Sequence, residues 1–432
     1  MEVTSEVGRL RAVLLHRPGP ELENLVPRDL ERLLFEEIPW LPRARREHAA
    51  FAAQLEALGV RVYYVEDLLR DLAQDPELRE AMVDAQLEAS PIRWEPAREA
   101  IRRCLLEAVP PEELPEQLIA GLTKEAVRRW KEAPSLSDLT SSRDPFALAP
   151  LPSMYFTRDH GAMIGPNLLI SQMTHEARRR ETAFLRLLVQ HHPLFRDVGT
   201  WVDEPLPTGI EGGDILVIAP DALILGLSER TSEAAIELVG ARLMTRGPIR
   251  EILVMQIPVR RAFMHLDTVF TMVDRDRFLI YPGIERELRL IRLIRDGRDI
   301  RAEVTTDLPR ALARLLGVDQ VQLIRSGGDD PITAAREQWA DSTNVLAVAP
   351  GQVIAYDRNE VTNRILRREG IDVVEIEGSE LVRGRGGPRC MSLPLDRLPL
   401  AGVPQGLPGA PSRRAREDGP WPSSPSSRNG PR

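Results

Sequence analysis

A repeated pattern of short apolar runs and tight turns most constrains the fold of this chain. The clearest copy has two β-rich runs at 215–218 and 223–225, joined by an Ala-Pro-Asp turn and followed by a helical pattern near 231–239 and a strand at 252–255. The pattern recurs from Val345 and, more faintly, from Gly161; a fourth unit has only two β-rich runs and a turn from Thr268, and a fifth would join strands at 10–15 and 60–65. Because radial closure removes exposed sheet edges, five such units predict an α/β fold, namely a pseudo-fivefold α/β propeller of ββαβ-type units.

Two segments interrupt this pattern and define the predicted domain organisation. Residues 67–136 show helical spacing with proline breaks, which predicts a helical insertion containing helices at 75–87, 95–108, 111–122 and 123–132. Residues 399–432 are rich in Pro, Gly, Ser and Arg, which predicts a disordered tail, since such a composition buries too little apolar surface to offset the loss of chain entropy. The propeller domain would then consist of 1–66 and 137–398.

Composition and charge narrow the class of protein. The chain has 43% hydrophobic residues and a formal net charge of −8, without a long basic block, so neither a nucleic acid nor a membrane is expected as its partner. No apolar run of membrane-spanning length and no leader pattern are present. Two cysteines cannot form a disulfide framework, and we therefore expect a cytoplasmic protein, with assembly into a homo-oligomer left open.

Polar residues stand just ahead of the first strand of several units, and they are the candidate site. Asp159 precedes the unit at Gly161, Glu211 and Asp214 precede the clearest copy, and His265 and Asp267 precede the unit at Thr268. Equivalent positions of a closed array converge on one axis, so these side chains should meet there. Singly, each has an ordinary explanation as a turn residue, a surface ion pair or a core histidine, and it is their joint placement that indicates a site.

Cys390 is the candidate nucleophile. It follows the basic, glycine-rich loop 384–389, and a thiol beside cations loses its proton more readily than usual, which makes a reactive thiolate. Cys104 lies in an apolar stretch of the helical insertion, where packing explains it. A metal site is the first rival explanation, but the sequence has no His-Glu-x-x-His, no Cys-x-x-Cys and no phosphate-binding loop, so we expect neither a metal nor a cofactor.

Four motifs taken together resemble the arginine deiminases of the guanidine-modifying enzyme superfamily, and the likeness runs from about Val3 to about Leu395. The motifs are 156–159 (Phe-Thr-Arg-Asp), 211–214 (Glu-Gly-Gly-Asp), 264–267 (Met-His-Leu-Asp) and 384–390 (Gly-Arg-Gly-Gly-Pro-Arg-Cys). The resemblance implies a metal-free cysteine hydrolase that converts L-arginine to L-citrulline and ammonia through a covalent thiouronium intermediate on Cys390. It also implies the propeller with a helical insertion.

The resemblance further implies a role for each site residue. Asp159 and Asp267 would grip the guanidinium, Cys390 would attack it, and His265, held by Glu211, would move the protons. Substrate-binding roles fall to Phe156, Arg178, Arg230, Asp214, Gly384 and Arg385. Of these, Arg178 and Arg230 would clamp the substrate α-carboxylate, which favours arginine over agmatine.

Two other functions stay open on the sequence alone. One is a related enzyme that hydrolyses agmatine or methylarginine or transfers the amidino group to an amine; the helical insertion and the paired arginines speak against it. The other is a non-catalytic arginine-binding protein. Ser153 and His160 make that second function conceivable, because they stand where the deiminases usually have Asn and Pro.

Overall fold

The fold is known from a computed structural model that describes residues 1–134, 136–139, 144–297 and 299–400. Its α-helices are α1 (Leu41–Ala57), α2 (Val65–Ala73), α3 (Pro76–Glu88), α4 (Glu95–Ala108), α5 (Leu114–Ala120), α6 (Lys124–Arg128), α7 (Leu136–Leu139), α8 (Arg179–His191), α9 (Glu233–Arg246), α10 (Leu308–Leu316), α11 (Pro331–Trp339) and α12 (Glu360–Arg368). Its strands are β1 (Leu10–Leu15), β2 (Arg61–Tyr64), β3 (Leu122–Thr123), β4 (Phe146–Leu148), β5 (Gly161–Ile164), β6 (Asn167–Ile170), β7 (Gly199–Thr200), β8 (Ile215–Ala219), β9 (Ala222–Leu227), β10 (Glu251–Gln256), β11 (Phe270–Asp274), β12 (Arg277–Ile280), β13 (Arg289–Asp296), β14 (Asp299–Thr305), β15 (Gln322–Arg325), β16 (Leu346–Ala349), β17 (Gln352–Tyr356), β18 (Asp372–Ile376) and β19 (Leu393–Arg397).

Five sheets share one pairing pattern, in which the middle strand runs antiparallel to one neighbour and parallel to the other. Their strand orders are β19-β1-β2, β5-β6-β7, β8-β9-β10, β11-β12-β15 and β16-β17-β18. A parallel neighbour requires a crossover, and a helix supplies it in each case: α1, α8, α9, α10 and α12. The mixed α/β fold and the strands predicted from the repeat are therefore confirmed.

The first sheet combines the two ends of the described chain. Its outer strand β19 lies antiparallel to β1, with Leu10 opposite Arg397, and the Arg397 N–H donates to the Glu2 carbonyl at 2.8 Å. The sequence pattern predicted only β1 and β2 of this sheet, because the third strand is almost four hundred residues away and no local signal connects them. The hairpin β13–β14, which extends the third sheet to five strands, was also missed.

Local sequence explains why the crossover helices form where they do. Ser232 caps α9 by accepting a hydrogen bond from the Ala235 N–H, and the helix buries Ile236, Val239 and Leu243 against the third sheet. In the same way Asp307 caps α10, which ends at a left-handed glycine. The predicted helix near 231–239 is thus confirmed and extends to Arg246.

The segment predicted as an insertion is mostly helical, and α4 has the predicted bounds. Gln86 of α3 donates to the Arg180 carbonyl at 3.0 Å, and one apolar cluster includes Leu105, Leu118 and Phe184, so these helices share a core with the second sheet. Cys104 is buried in that cluster, as packing alone would place it. No helix of the described chain is long and apolar enough to cross a membrane. Of the predicted tail, residues 401–432 lie outside the described residues.

Candidate active site

Three short 3-10 turns bring the predicted polar residues to the starts of neighbouring sheets. They are Thr157–His160 ahead of β5, Gly212–Asp214 ahead of β8 and Leu266–Thr268 ahead of β11. The turns lie in direct contact. A Cβ atom added to Gly213 would lie 2.7 Å from Cγ of His265, and one added to Gly212 would overlap the Arg158 carbonyl oxygen. Only glycine permits this approach, and the two glycines therefore set how closely the acids and the imidazole meet.

The other two sheets contribute residues at the equivalent place. Asn344 comes before β16, and Cys390 comes before β19. The Asn344 Oδ1 atom accepts hydrogen bonds from the backbone N–H groups of Gly387 and Cys390, at 3.1 and 2.9 Å. All five sheets thus supply a polar side chain to one cluster, and Asn344 is a member that the sequence reasoning did not single out.

Cys390 lies against Asp267. The thiol Sγ donates to Asp267 Oδ2 at 3.6 Å, and the same oxygen accepts from Nη1 of Arg389 at 2.6 Å. Among the described residues, no donor reaches the buried Asp267 Oδ1. One carboxylate oxygen is therefore occupied by the thiol and by Arg389, while the other is buried with its acceptor capacity unused.

Asp159, ahead of β5 in the second sheet, has the same arrangement. Its Oδ2 accepts from Nη1 of Arg178 at 2.6 Å, whereas its Oδ1 is buried and, within the described chain, accepts no hydrogen bond. Nδ1 of His265 lies 3.7 Å from that Oδ1, which is too long for a hydrogen bond. The two acids therefore present one unused oxygen each.

The imidazole is oriented by Glu211. His265 Nε2 lies 2.8 Å from Glu211 Oε2, and the Thr174 N–H donates to the other oxygen at 3.0 Å. Burial by itself lowers the pKa of His265, but the charge of Asp159 and the hydrogen bond to Glu211 outweigh it and raise the pKa to about 9. At neutral pH the imidazole is protonated and can act as an acid.

Asp214 supports the turn that carries His265. Its Oδ1 accepts from the Leu266 N–H and its Oδ2 from the Ser228 hydroxyl, both at 2.7 Å. Burial raises the pKa of Asp214 to about 6, so this carboxylate is charged at neutral pH and contributes to the raised pKa of His265. The structure thus places Asp214 behind the histidine.

The expectation that a basic loop lowers the pKa of Cys390 was wrong. Burial, followed by the charges of Asp267 and Asp159, raises the pKa of the thiol well above its usual value. The nearest loop cation, Arg389, is already neutralised by Asp267 and by Glu6, whose Oε2 accepts from Nη2 of Arg389 at 3.1 Å. The free protein therefore holds a neutral thiol.

The two arginines expected to clamp a carboxylate differ in their partners. Arg178 is buried between Asp159 and Glu181, with Nη2 2.8 Å from Glu181 Oε2. Arg230 has weaker contacts, 3.5 Å to Glu211 Oε2 and 3.5 Å to Sδ of Met264, and its buried Nε has no hydrogen-bond partner among the described residues. Arg230 therefore has more donor capacity left for a ligand than Arg178.

Phe156, Gly384 and Arg385 lie together at one side of the site. The Phe156 and Tyr155 rings are tilted by 37° with their centroids 4.0 Å apart, and a side chain at Gly384 would overlap the Phe156 ring and the Tyr155 hydroxyl. Arg385 has a left-handed backbone, with φ of 63°, and its guanidinium lies 3.7 Å above the Trp339 ring. Such a backbone is strained for a residue with a side chain, which is consistent with a functional constraint on Arg385.

Asp159, Glu211 and His265 also lie close enough together to hold a metal ion. Their donor set fits one poorly, because Glu211 already holds the protonated imidazole and Arg178 already holds Asp159. A metal would have to displace these cations or overcome their repulsion. The cluster is better suited to hydrogen-bond donors arranged in a plane than to an ion.

The fold is similar to solved structures of amidinotransferase-like proteins. One is an amidinotransferase, SxtG, from Microseira wollei, with a TM-score of 0.56, 14% identity and coverage of 94% of this chain and 99% of that one. Another is the N-terminal domain of ArgZ, a cyanobacterial arginine dihydrolase, with a TM-score of 0.51, 14% identity and coverage of 89% and 97%. These likenesses define the class of the protein by its fold, which is amidinotransferase-like, and Cys390 lies within the site.

Sequence comparison narrows the class to a family. The arginine deiminase family model matches residues 31–397. The arginine deiminase of Streptococcus equi subsp. equi is 45% identical over 402 residues, which are 92% of this chain and 98% of the relative, and that of Streptococcus pyogenes is 44% identical with the same coverage. The chain belongs to the arginine deiminase family.

Proposed function

We propose that this protein hydrolyses L-arginine to L-citrulline and ammonia, with Cys390 as the nucleophile. The observation that carries the proposal is the pair of unused, buried carboxylate oxygens, one on Asp159 and one on Asp267. Asp267 also contacts the thiol, and the unused oxygen of Asp159 lies 3.7 Å from the protonated His265. A guanidinium offers planar N–H donors that match two such acceptors, and its charge offsets two desolvated carboxylates. Family membership supports the same substrate.

The chemistry follows from these neighbours. Arginine brings a cation against Asp159 and Asp267, which offsets the charges that hold the Cys390 proton. The thiol releases that proton to solvent, and the thiolate then bonds to the guanidinium carbon. His265 gives its proton to the departing nitrogen, the C–N bond breaks, and ammonia leaves a thiouronium on Cys390. Water, losing a proton to His265, attacks the same carbon. The C–S bond then breaks, the remaining hydroxyl proton passes to the departing sulfur, and the ureido product and the neutral thiol are released.

The decisive assay is product analysis with purified protein and arginine as the sole substrate. Equal amounts of ammonia and citrulline are expected, and activity is expected to persist with a chelator, since the proposed chemistry uses protein groups alone. A non-catalytic arginine-binding protein would bind arginine and release neither product. Loss of activity on chelation would instead favour a metal at Asp159, Glu211 and His265.

A second prediction concerns agmatine, which lacks the α-carboxylate. Arg230, with an unpartnered buried Nε among the described residues, is the better candidate to bind that carboxylate, because Arg178 is already paired with two acids. A buried charge left without its partner costs several kcal/mol, so kcat/KM for agmatine is expected to be at least about 100-fold below that for arginine. Arg230→Ala should narrow this ratio by lowering arginine turnover alone. A parent kcat/KM for agmatine equal to that for arginine would contradict the assignment of Arg230 to the α-carboxylate.

The pH profile provides a third prediction. Because the pKa of His265 is raised to about 9, the imidazolium acid is present below that pH, and kcat/KM is expected to fall about tenfold per pH unit above it. The charge of Asp214 contributes to this raised pKa, so Asp214→Asn should move the falling limb to lower pH. Measuring kcat/KM from pH 6 to 10.5 for the parent and for Asp214→Asn tests this. If kcat/KM falls at the same pH in both proteins, a group other than His265 controls the fall.

We also propose that the five sheets close radially around the site as a pseudo-fivefold propeller, with 1–66 and 137–398 as its domain and 67–136 as the insertion. The sheet that joins β19 to β1 supports closure, since it links the last unit to the first. A polar residue from each sheet in one cluster supports the same geometry. L-arginine is the one partner proposed, and a cytoplasmic location remains the prediction from composition.

A further inference from the structure

A buried chain of charged and polar groups runs from Asp159 away from the thiol. Asp159 Oδ2 accepts from Arg178 Nη1 at 2.6 Å, Arg178 Nε donates to Glu181 Oε2 at 3.0 Å, and the same Glu181 oxygen lies 3.0 Å from Nε2 of His160. All four side chains are buried, and His160 is only 1% exposed. None of these groups can exchange its partner for bulk water. The loss of a hydrogen bond at one end of the series therefore has to be compensated by the other members of the series.

The order of the groups lets His160 influence the hydrogen bond between Arg178 and Asp159. Burial by itself lowers the pKa of the Arg178 guanidinium, but the charges of Glu181 and then Asp159 outweigh it and raise the pKa further. Arg178 therefore stands between two carboxylates that compete for its N–H groups. A donor from His160 to Glu181 satisfies part of that acid and leaves Nη1 of Arg178 on Asp159.

The backbone of His160 is pinned as well. His160 ends the 3-10 turn that carries Asp159, and its carbonyl accepts from the Ser171 N–H at 2.9 Å, just beyond β6. Its side chain, in contrast, reaches Glu181 on α8. The turn is therefore fixed to a strand end by the backbone of His160 and to a helix by its imidazole.

We propose that His160 is a positioning residue that acts through Glu181 and Arg178 to hold Asp159 with one oxygen saturated and the other turned to the substrate guanidinium. This inference rests on the proposed function, since it concerns the same site. His160 touches neither the substrate nor the reacting atoms. Its effect is to keep Asp159 from rotating, and orientation of the substrate at the reacting carbon depends on that.

The kinetic test compares two substitutions of one residue. His160→Leu removes the donor to Glu181 and keeps apolar bulk, and kcat for arginine is expected to fall about 30-fold, with KM changed less than about threefold, because orientation is lost more than binding. His160→Gln keeps an N–H at the position of Nε2 and should retain at least about a third of the parent kcat. His191→Leu, on the exposed end of the same helix α8, is the matched control and should behave as the parent.

A double-mutant cycle tests whether the effect passes through Glu181. In a Glu181→Gln background the acid is already neutral, so adding His160→Leu should cost less than about threefold. Full additivity of the two losses would overturn the proposed route. Equal impairment of the Leu and Gln variants, or a parent-like kcat in His160→Leu, would overturn the proposal itself.

A readout independent of turnover separates this inference from the proposed function. Chloroacetamidine is a planar cation that needs the two acids to reach Cys390, whereas neutral chloroacetamide does not, so the ratio of their alkylation rates reports the position of Asp159. His160→Leu is expected to lower this ratio about tenfold with the chloroacetamide rate unchanged. An unchanged ratio would overturn the inference even if the protein hydrolyses arginine. A parent that releases no citrulline but shows the expected change in ratio would overturn the function alone.

Discussion

Cys390→Ala protein is expected to lose at least about 10⁴-fold of the parent kcat for arginine, because no other described thiol lies in the site and removal of a nucleophile leaves only the slow direct attack of water. Arginine binding should survive, since the unused oxygens of Asp159 and Asp267 remain. Calorimetric titration of the variant should therefore give a Kd for arginine within about tenfold of the parent KM. Single-turnover release of citrulline measures the loss of chemistry directly.

Trapping the intermediate completes this test. Parent protein quenched during turnover should carry the amidino adduct of arginine on Cys390, and the variant should carry none. Cys104→Ala is the matched control, because Cys104 is buried among the insertion helices, and it should keep full activity. An adduct on Cys104, or turnover by the Cys390→Ala protein, would contradict the assignment of the nucleophile.

Asp267→Asn is expected to lower kcat/KM for arginine by about 10³-fold. Asp267 both contacts the thiol and has an unused carboxylate oxygen. The substitution removes one of the two negative charges that bind the guanidinium, and it places the amide N–H donors of the new side chain against the N–H donors of the substrate. Because the charge of Asp267 raises the pKa of the Cys390 thiol, the same change should lower that pKa. The variant should therefore turn over arginine more slowly, yet react faster with neutral iodoacetamide at pH 7 to 8.

Slower turnover together with faster alkylation distinguishes a substrate-binding role of Asp267 from a purely structural role. A variant that had merely unfolded locally would lose turnover without a lowered thiol pKa, which the pH dependence of alkylation measures. Asp274→Asn, on the partly buried end of β11 in the same sheet, is a matched control and should change neither quantity. A parent-like alkylation profile in Asp267→Asn would show that its charge does not reach the sulfur.

Sequence reasoning succeeded where local pattern and repetition carry the signal. Placement at the starts of the repeated units was enough to bring Asp159, Glu211 and His265 into one predicted site, and the structure joins these three through contacts of 2.8 to 3.7 Å and shared partners. It missed Asn344, which stands at the start of the fifth sheet, although the same positional rule would have found it. It gave no role to Glu181, which stands within the run of charged residues that begins at Arg178.

The charge state of the thiol could not be read from its neighbours in sequence. The loop 384–389 is basic, but Arg389 turns toward Asp267 and Glu6, which come from other parts of the chain, and their carboxylates cancel its charge. Arg178 likewise reads as a free cation and is in fact held by two acids. The acids that hold Arg389 are far away in the chain, whereas Arg178 is held by one acid from another turn, Asp159, and by one acid three residues away, Glu181.

The sequence by itself determined the strands of the repeated units, three of the five crossover helices and the candidate acids, imidazole and thiol, because hydrophobic periodicity, turns and glycine placement act over a few residues. Only the tertiary structure decided which oxygens of Asp159 and Asp267 remain unused, that Cys390 is neutral, and that His160 reaches Asp159 through two other residues. These properties depend on burial and on partners far apart in the chain, and electrostatic free energies in a desolvated site follow distance in space and not distance in sequence.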